Sequence, residues 1–315
     1  MRLTMSKFQQ KDLSFEQAFD LFIRSCNVKN LTDESIHSYK CKIRPFARYF
    51  AQRELILSQV DKDTLKEFIC DLRANTRAND VTINSYLRAT RAFLYFCMEE
   101  GYVERFKFIL PKAEKKGKDT YTEEELERLL KKPNVKTCDF TELKVWALEN
   151  FLVGTGVRIS TALNIQICNL DFDNGFIFIQ KQKNRKQAYI PMSESVAEVL
   201  RFYLQYRDGD AEDYVFCNAC GQKGDRRTYE TICARYNRKR GCSTGLHKFR
   251  HTFGKLAVMN GIDAFRLQRL MGHSSITVTQ EYVNLYGDDL AKDYERFNPL
   301  DNLMKKNREK IKMSK

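Results

Sequence analysis

The dipeptide Asn174-Gly175 is the tightest constraint on what this 315-residue chain can fold into. It lies between two short apolar runs, around Ile165 to Phe172 and Phe176 to Ile179. A two-residue hairpin turn needs residues that tolerate positive φ, and these two do. Ala188 to Pro191 offers a third short strand. Elsewhere the apolar residues recur mainly at helical spacing, so the sequence predicts a mainly α protein with a small antiparallel β-sheet. No internal repeat is visible.

The N-terminal third reads as four helices. Ser14 with Gln17 forms a capping box, and Phe15, Ala18, Phe19, Phe22, Ile23 and Cys26 make one apolar stripe. A second helix starts at Thr32 and carries Ile36, Tyr39, Ile43 and Phe46 inward, with Pro45 kinking or dividing it. A third fits Asp63 to Arg73; a fourth begins after Thr82 and ends at Gly101 as its cap. Arg88 and Arg91 share a face of that fourth helix, either as solvated side chains or as phosphate contacts.

Residues 106–119, with Pro111 and the charged run KAEKKGKD, change character and read as a linker. Thr122 with Glu125 opens a helix that stops by Pro133, and Phe140 to Val153 forms another around the single tryptophan, Trp146. After the strands, helices resume at Ser193 and continue through Arg296. The expected organisation is a helical domain over 1–106, a linker over 107–119, an α+β domain over 120–299 and a basic tail over 300–315.

Lys and Arg total 54 against 41 Asp and Glu, a net charge of +13. Such an excess favours a polyanionic partner through counterion release and steering, although solubility alone can also explain it. No apolar run approaches the length of a membrane span, and the start MRLTMSKFQQKD lacks the apolar core of a signal peptide. The expectation is a cytoplasmic protein with no membrane partner. The ten cysteines are scattered, as small core residues of a reduced protein would be. Cys217 and Cys220 form a CxxC followed by Cys233 and Cys242, but a second CxxC is missing, so no metal and no cofactor are expected.

Three of the four histidines fall in one C-terminal stretch: His247 and His251 in LHKFRH, and His273 in MGHSS. Arg250 lies within the first of these segments, helical spacing puts it on one face with His247, and Tyr282 follows in TQEYVNL. Upstream, Gly154 to Ser160 reads GTGVRIS, a helix end turning into a new helix with Arg158 at the turn. Each element alone is weak, since most tyrosines pack and most His-x-x-Arg pairs are helix faces. Five such elements in order in a basic protein point to a site.

In this order and spacing, with Tyr282 nine residues after His273, the sequence resembles the tyrosine recombinase/integrase family. The resemblance covers about Thr120 to Pro299, and INSYLRATRAFLYFCMEEGYV is similar to the end of the family's helical core-binding domain. It implies a site-specific recombinase acting on double-stranded DNA through a 3′-phosphotyrosyl intermediate, for integration, excision, inversion or resolution. Guanidinium groups suit the charge that builds on a phosphodiester under attack, which assigns Arg158 and Arg250 as phosphate clamps. Tyr282 would be the nucleophile, needing a positive field or a base because a phenol titrates near 10. His247 would bond the phosphate and assist proton transfer from Tyr282, His273 would donate to a nonbridging oxygen, and His251 would support the box. The family's general acid is a lysine in a hairpin turn. Counting back from Pro191 selects Lys183, and a hairpin of another length selects Lys181.

Thr161 stands where the family usually has a carboxylate. The resemblance further implies a homo-tetramer in the synaptic complex, with the segment after Tyr282 docking on a neighbouring protomer, and it admits accessory DNA-binding proteins and association with the nucleoid. Groove contacts would come from the N-terminal helices and from the basic helix near Thr228 to Arg240, including Arg235 and Arg238. The helical domain starts so near Met1 that no arm-binding domain is expected, as in Xer-like enzymes. A type IB topoisomerase and a non-enzymatic DNA-binding protein remain the alternatives.

Overall fold

The computed structural model describes residues 13–112, 117–179, 188–207, 209–218 and 220–286. The chain forms two compact units, Met1–Lys116 and Gly117–Lys315.

The first unit packs α1 (Phe15–Val28), α2 (Asp33–Gln52), α3 (Lys62–Asn75) and α4 (Asp80–Glu99) around one aromatic core. The Ser14 and Gln17 capping box is present, and Thr32 caps α2. Pro45 does not divide α2: Ile43, Phe46, Tyr49 and Phe50 on both sides of it are buried along the same helix. α4 starts earlier than the sequence suggests because the Asn79 side chain, not Thr82, forms the cap, accepting the Thr82 backbone N–H at 2.9 Å. Gly101 takes φ 79° just beyond the helix, where a residue with a Cβ is strained. Phe108 belongs to this core, and Asn84 donates to the Pro111 carbonyl at 2.8 Å, so the chain hugs this unit well into the stretch expected to be a linker.

The second unit is built on α6 (Phe140–Thr155), which follows α5 (Glu123–Leu130). Residues on every side of α6 are buried, among them Val145, Trp146, Leu148, Phe151 and Leu152, as expected of a helix central to its domain. The Trp146 indole donates to the Leu130 carbonyl at 2.8 Å, fixing the end of α5 against it. Glu149 is also fully buried with neither carboxylate oxygen hydrogen-bonded, and burial pushes its carboxyl well above the usual range. After α7 (Ile159–Ala162), β1 (Leu170–Asp171), β2 (Phe176–Ile179) and β3 (Ala188–Pro191) form an antiparallel sheet in that order. Leu170 pairs with Ile177, and Ile177 in turn with Ile190. The turn is longer than a two-residue one: Asp171 pairs with Phe176, residues 172–175 make the turn with the Asn174 N–H donating to the Asp171 carboxylate at 2.9 Å, and Gly175 rather than Asn174 takes the positive φ, 70°. Most of the run from Ile165 to Phe172 is not strand: Ile167–Asn169 form a 3-10 turn held by the Asn169 side chain, which accepts the Gln166 N–H at 3.0 Å.

Then come α8 (Glu194–Leu204), α9 (Arg226–Lys239), α10 (Leu246–Met259), α11 (Ala264–Met271) and α12 (Ile276–Tyr286). α8, α9 and α10 pack on α6, whereas α11 and α12 pack on α10 and on each other. Val258, Leu267, Met271 and Tyr282 form a small cluster separate from the main core of the unit. No helix among the described residues is long and apolar enough to cross a membrane.

Candidate active site

The ends of two helices organise the site. Gly156 terminates α6 and Gly272 terminates α11, both left-handed, at φ 65° and 59°. A helix end leaves carbonyls without intrahelical partners. Arg250, buried on α10, donates from one guanidinium nitrogen to the Gly156 carbonyl at 2.7 Å and from the other to the Met271 carbonyl at 2.6 Å. Arg158, at the start of α7, donates to the Gly272 carbonyl at 3.3 Å. Both cations are thereby aimed by backbone, which side-chain motion cannot easily undo. Burial, reinforced by the charge of Arg158, pulls the Arg250 guanidinium down to about 10, still protonated at neutral pH. Gly156 is required twice over, since a Cβ there would lie 2.2 Å from the Phe253 ring.

The histidines converge on the same place. The His247 and His251 rings on α10 are 5.1 Å apart, and the His273 ring lies nearly parallel to that of Tyr282 at 6.2 Å. His273 is oriented by a contact of 2.8 Å between Nδ1 and the buried Thr279 hydroxyl. His247 is exposed, while His251 and His273 are half-buried. Desolvation and the neighbouring arginines lower all three from the ordinary imidazole value: His247 in direction, His273 to about 4. His251 falls to about 4 through desolvation, then His247, Lys118 and Arg250. The imidazolium form of each is disfavoured in a site whose fixed charge is positive.

Tyr282 is 1% exposed, with its hydroxyl 2.7 Å from His251 Nδ1. Its ring rests against α10 at Gly254, where a Cβ would approach ring carbons to 2.7 and 2.8 Å. The Lys118 ammonium sits 3.4 Å from the ring centre and also pairs with Glu281 at 3.2 Å. Arg158 and Arg250 both feel the Tyr282 hydroxyl electrostatically. The structure therefore brings together Arg158, His247, Arg250, His273 and Tyr282. Lys183, with its competitor Lys181, and the basic tail over 300–315 lie outside the described residues.

Sequence reasoning missed Lys118 and Gly254, and it gave His251 only a supporting role. Lys118 was one of several lysines in the charged run before α5, with nothing local to single it out. Gly254 carried a signal, because a glycine inside a helix costs about 1 kcal/mol against alanine and often marks a close approach. Arg88 is exposed and Arg91 half-buried on α4, and Arg235 and Arg238 are exposed on α9. Thr161 is half-buried on α7. Cys217, Cys233 and Cys242 are buried and Cys220 is exposed; among the described residues no group of three or more His, Cys, Asp or Glu side chains is placed to hold a metal.

Residues 119–288 match the phage integrase family, and residues 20–101 match its N-terminal SAM-like domain. The chain belongs to the phage integrase family, the tyrosine recombinases. It is 27% identical over 298 residues to tyrosine recombinase XerC of Oceanobacillus iheyensis, covering 90% of this chain and 96% of that protein. With tyrosine recombinase XerA of Thermococcus kodakarensis it shares 28% identity over 240 residues, 75% of this chain and 82% of the relative. Among solved structures, the Tn1549 transposon integrase in complex with transposon right end DNA superposes with TM-score 0.72 at 21% identity, over 91% of this chain and 99% of that one. XerH site-specific recombinase bound to its palindromic difH substrate in a post-cleavage complex gives TM-score 0.67 at 20% identity, over 90% and 84%.

Proposed function

We propose that this recombinase cuts and rejoins double-stranded DNA at specific sites through a covalent link between Tyr282 and a 3′-phosphate. The observation that carries the reading is the gathering of Arg158, Arg250, His247, His251 and His273 about the end of α11 and Tyr282, with both guanidiniums coupled electrostatically to Tyr282. The two guanidiniums would bind the nonbridging phosphate oxygens and offset the charge added as the tyrosine attacks. At an effective dielectric of 20, a cation at 4 Å is worth about 4 kcal/mol to such a charge before desolvation costs. His247, exposed at the rim, and His273, whose Nδ1 is engaged by Thr279, would donate to the same oxygens. Lys183 would protonate the leaving 5′-oxygen. The phosphotyrosine conserves the bond energy, so ligation to a new 5′-hydroxyl needs no ATP.

Because Tyr282 is 1% exposed, a phosphate can meet its hydroxyl only when the side chains that cover it move aside. Arg88 and Arg91 on α4 and Arg235 and Arg238 on α9 would contact the duplex, and a homo-tetramer would assemble in synapsis through the segment following Tyr282. We place the protein in the cytoplasm at the nucleoid, where accessory DNA-binding proteins would meet it. The test is a suicide duplex carrying genomic fragments, incubated with the protein in excess EDTA. A covalent adduct that maps to Tyr282 and disappears in Tyr282→Phe supports the reading. Adduct formation by Tyr282→Phe overturns it, and supercoil relaxation without recombinants from a two-site plasmid would favour a topoisomerase.

A further inference from the structure

The His251 and His273 rings lie against Tyr282, with His247 beside His251, and their ring nitrogens are committed differently. His273 Nδ1 faces Thr279 at 2.8 Å, and His247 lies at the exposed rim. His251 Nδ1 lies 2.7 Å from the Tyr282 hydroxyl, in the middle of the range for a strong hydrogen bond to an O–H. That contact is set by rigid parts. His251 sits on α10 in the turn before Gly254, whose missing Cβ lets the Tyr282 ring lie flat against the same helix. Lys118 covers the ring, so the hydroxyl has little freedom to turn elsewhere.

We propose, on the reading of Tyr282 as nucleophile given above, that His251 is a catalytic residue: its Nδ1 takes the Tyr282 proton during attack and returns it during religation. In the forward step the Tyr282 O–H proton moves to Nδ1, the phenolate oxygen forms a bond to phosphorus, and the bond from phosphorus to the 5′-oxygen breaks. The 5′-oxygen takes a proton from the general acid, and His251 is left as imidazolium. In the reverse step the 5′-hydroxyl gives its proton back to that group as it attacks phosphorus, and the departing phenolate recovers its proton from His251. The proton count balances in both directions.

The groups facing His251 set its readiness. His247 and Arg250 on α10 and Lys118 before α5 disfavour the imidazolium, while Asp119 favours it. His273 stands across the site, and Glu281 on α12 is paired with Lys118. This balance keeps His251 neutral, hence able to accept, throughout the neutral range. A phosphodiester entering the site brings the negative charge that these cations lack, which raises the proton affinity of His251 when a base is needed.

The decisive variant is His251→Asn, whose side-chain oxygen can occupy the Nδ1 position and accept the same hydrogen bond but cannot take the proton. Single-turnover cleavage of a suicide duplex should fall by about 10²–10⁴-fold at pH 7. The deficit should shrink as pH rises toward the phenol value near 10, because the tyrosine then ionises unaided. It should persist on a substrate with sulfur at the 5′-bridging position, which relieves the general acid and not the base. His251→Ala serves alongside, with thermal melting and DNA binding as controls; if it melts early, the Asn variant carries the test. Cleavage by His251→Asn within about threefold of the parent would overturn the assignment, as would a deficit independent of pH, or faster cleavage by His251→Ala, which would make the contact a resting latch. Failure of the nucleophile reading shows separately, as adduct formation by Tyr282→Phe.

Discussion

Replacing Gly254 with alanine tests whether the seat of Tyr282 described here is the one used in cleavage. The new Cβ would stand 2.7 and 2.8 Å from two ring carbons and 3.2 Å from the carbon bearing the hydroxyl. Carbon atoms are comfortable at about 3.5–4.0 Å, so the ring must retreat by about 1 Å. Retreat is opposed by Lys118 over the ring and by the His251 contact, which makes this a rigid collision. Overpacking of this kind costs about 1–3 kcal/mol, offset by the ~0.5–1 kcal/mol that a helix gains from alanine over glycine. Folding stability should therefore drop by roughly 0–2.5 kcal/mol. Cleavage should suffer far more, because a 1 Å misplacement of a reacting group costs about 10²-fold. Single-turnover adduct formation on a suicide duplex, with thermal unfolding and duplex binding measured on the same preparation, separates the two effects. Gly117→Ala, where nothing lies within 4 Å, is the control and should behave as the parent. Undiminished cleavage by Gly254→Ala, with native melting, would refute the reasoning: the tyrosine would then act from a position that does not touch α10.

Arg250→Lys keeps the charge but cannot span the Gly156 and Met271 carbonyls, so cleavage should fall at least 10²-fold and melting should also drop, read by the same capture assay and by calorimetry. Glu149→Met replaces a buried, unbonded acid with an apolar side chain and should stabilise by about 1–3 kcal/mol in urea unfolding. The sign with pH follows from the raised value of Glu149: its cost is absent below the unfolded carboxyl range near 4.3 and grows as pH rises toward the folded value, so the gain should be larger at pH 7 than at pH 4. Duplex affinity should fall steeply with salt, with a logarithmic slope of about −0.9 for each phosphate neutralised. Arg235→Ala together with Arg238→Ala should make that slope shallower by up to about 2, measured by fluorescence anisotropy.

Much of the architecture was legible because local physics dictates it. Ser14, Thr32 and Thr122 announced their helices through side-chain caps, and Gly175 announced the β1–β2 hairpin through a positive φ that glycine tolerates cheaply. Errors arose where a second local device competed. Asn79 displaced Thr82 as the cap of α4, and Asn169 turned an apolar run into a 3-10 turn instead of a strand. The clustering of Arg158, His247, Arg250, His273 and Tyr282 was legible only through their order along the chain, since no periodicity brings α7, α10 and α12 together. Lys118 was not legible at all: its role exists only because the segment before α5 passes over a ring 164 residues later in sequence.

The same geometry explains how one site can be both fixed and mobile. The Arg158 and Arg250 guanidiniums are tied to the carbonyls that end α6 and α11, and α6 runs through the main core, so at least one anchor of Arg250 cannot move without disturbing the domain. Tyr282 belongs instead to a satellite cluster of four buried residues on α10, α11 and α12. Small clusters of this kind open at lower free energy than the core they adjoin. A recombinase needs such a division, because an arginine cradle that shifted would lose its electrostatic advantage, whereas a tyrosine whose 1% exposed seat could not open would never meet phosphorus. Arg250 is the hinge of this arrangement: the Met271 carbonyl that it holds is the last residue of α11, so the fixed cradle reaches directly into the mobile cluster. Loosening that bond should free Tyr282 and misplace the two guanidiniums in one step.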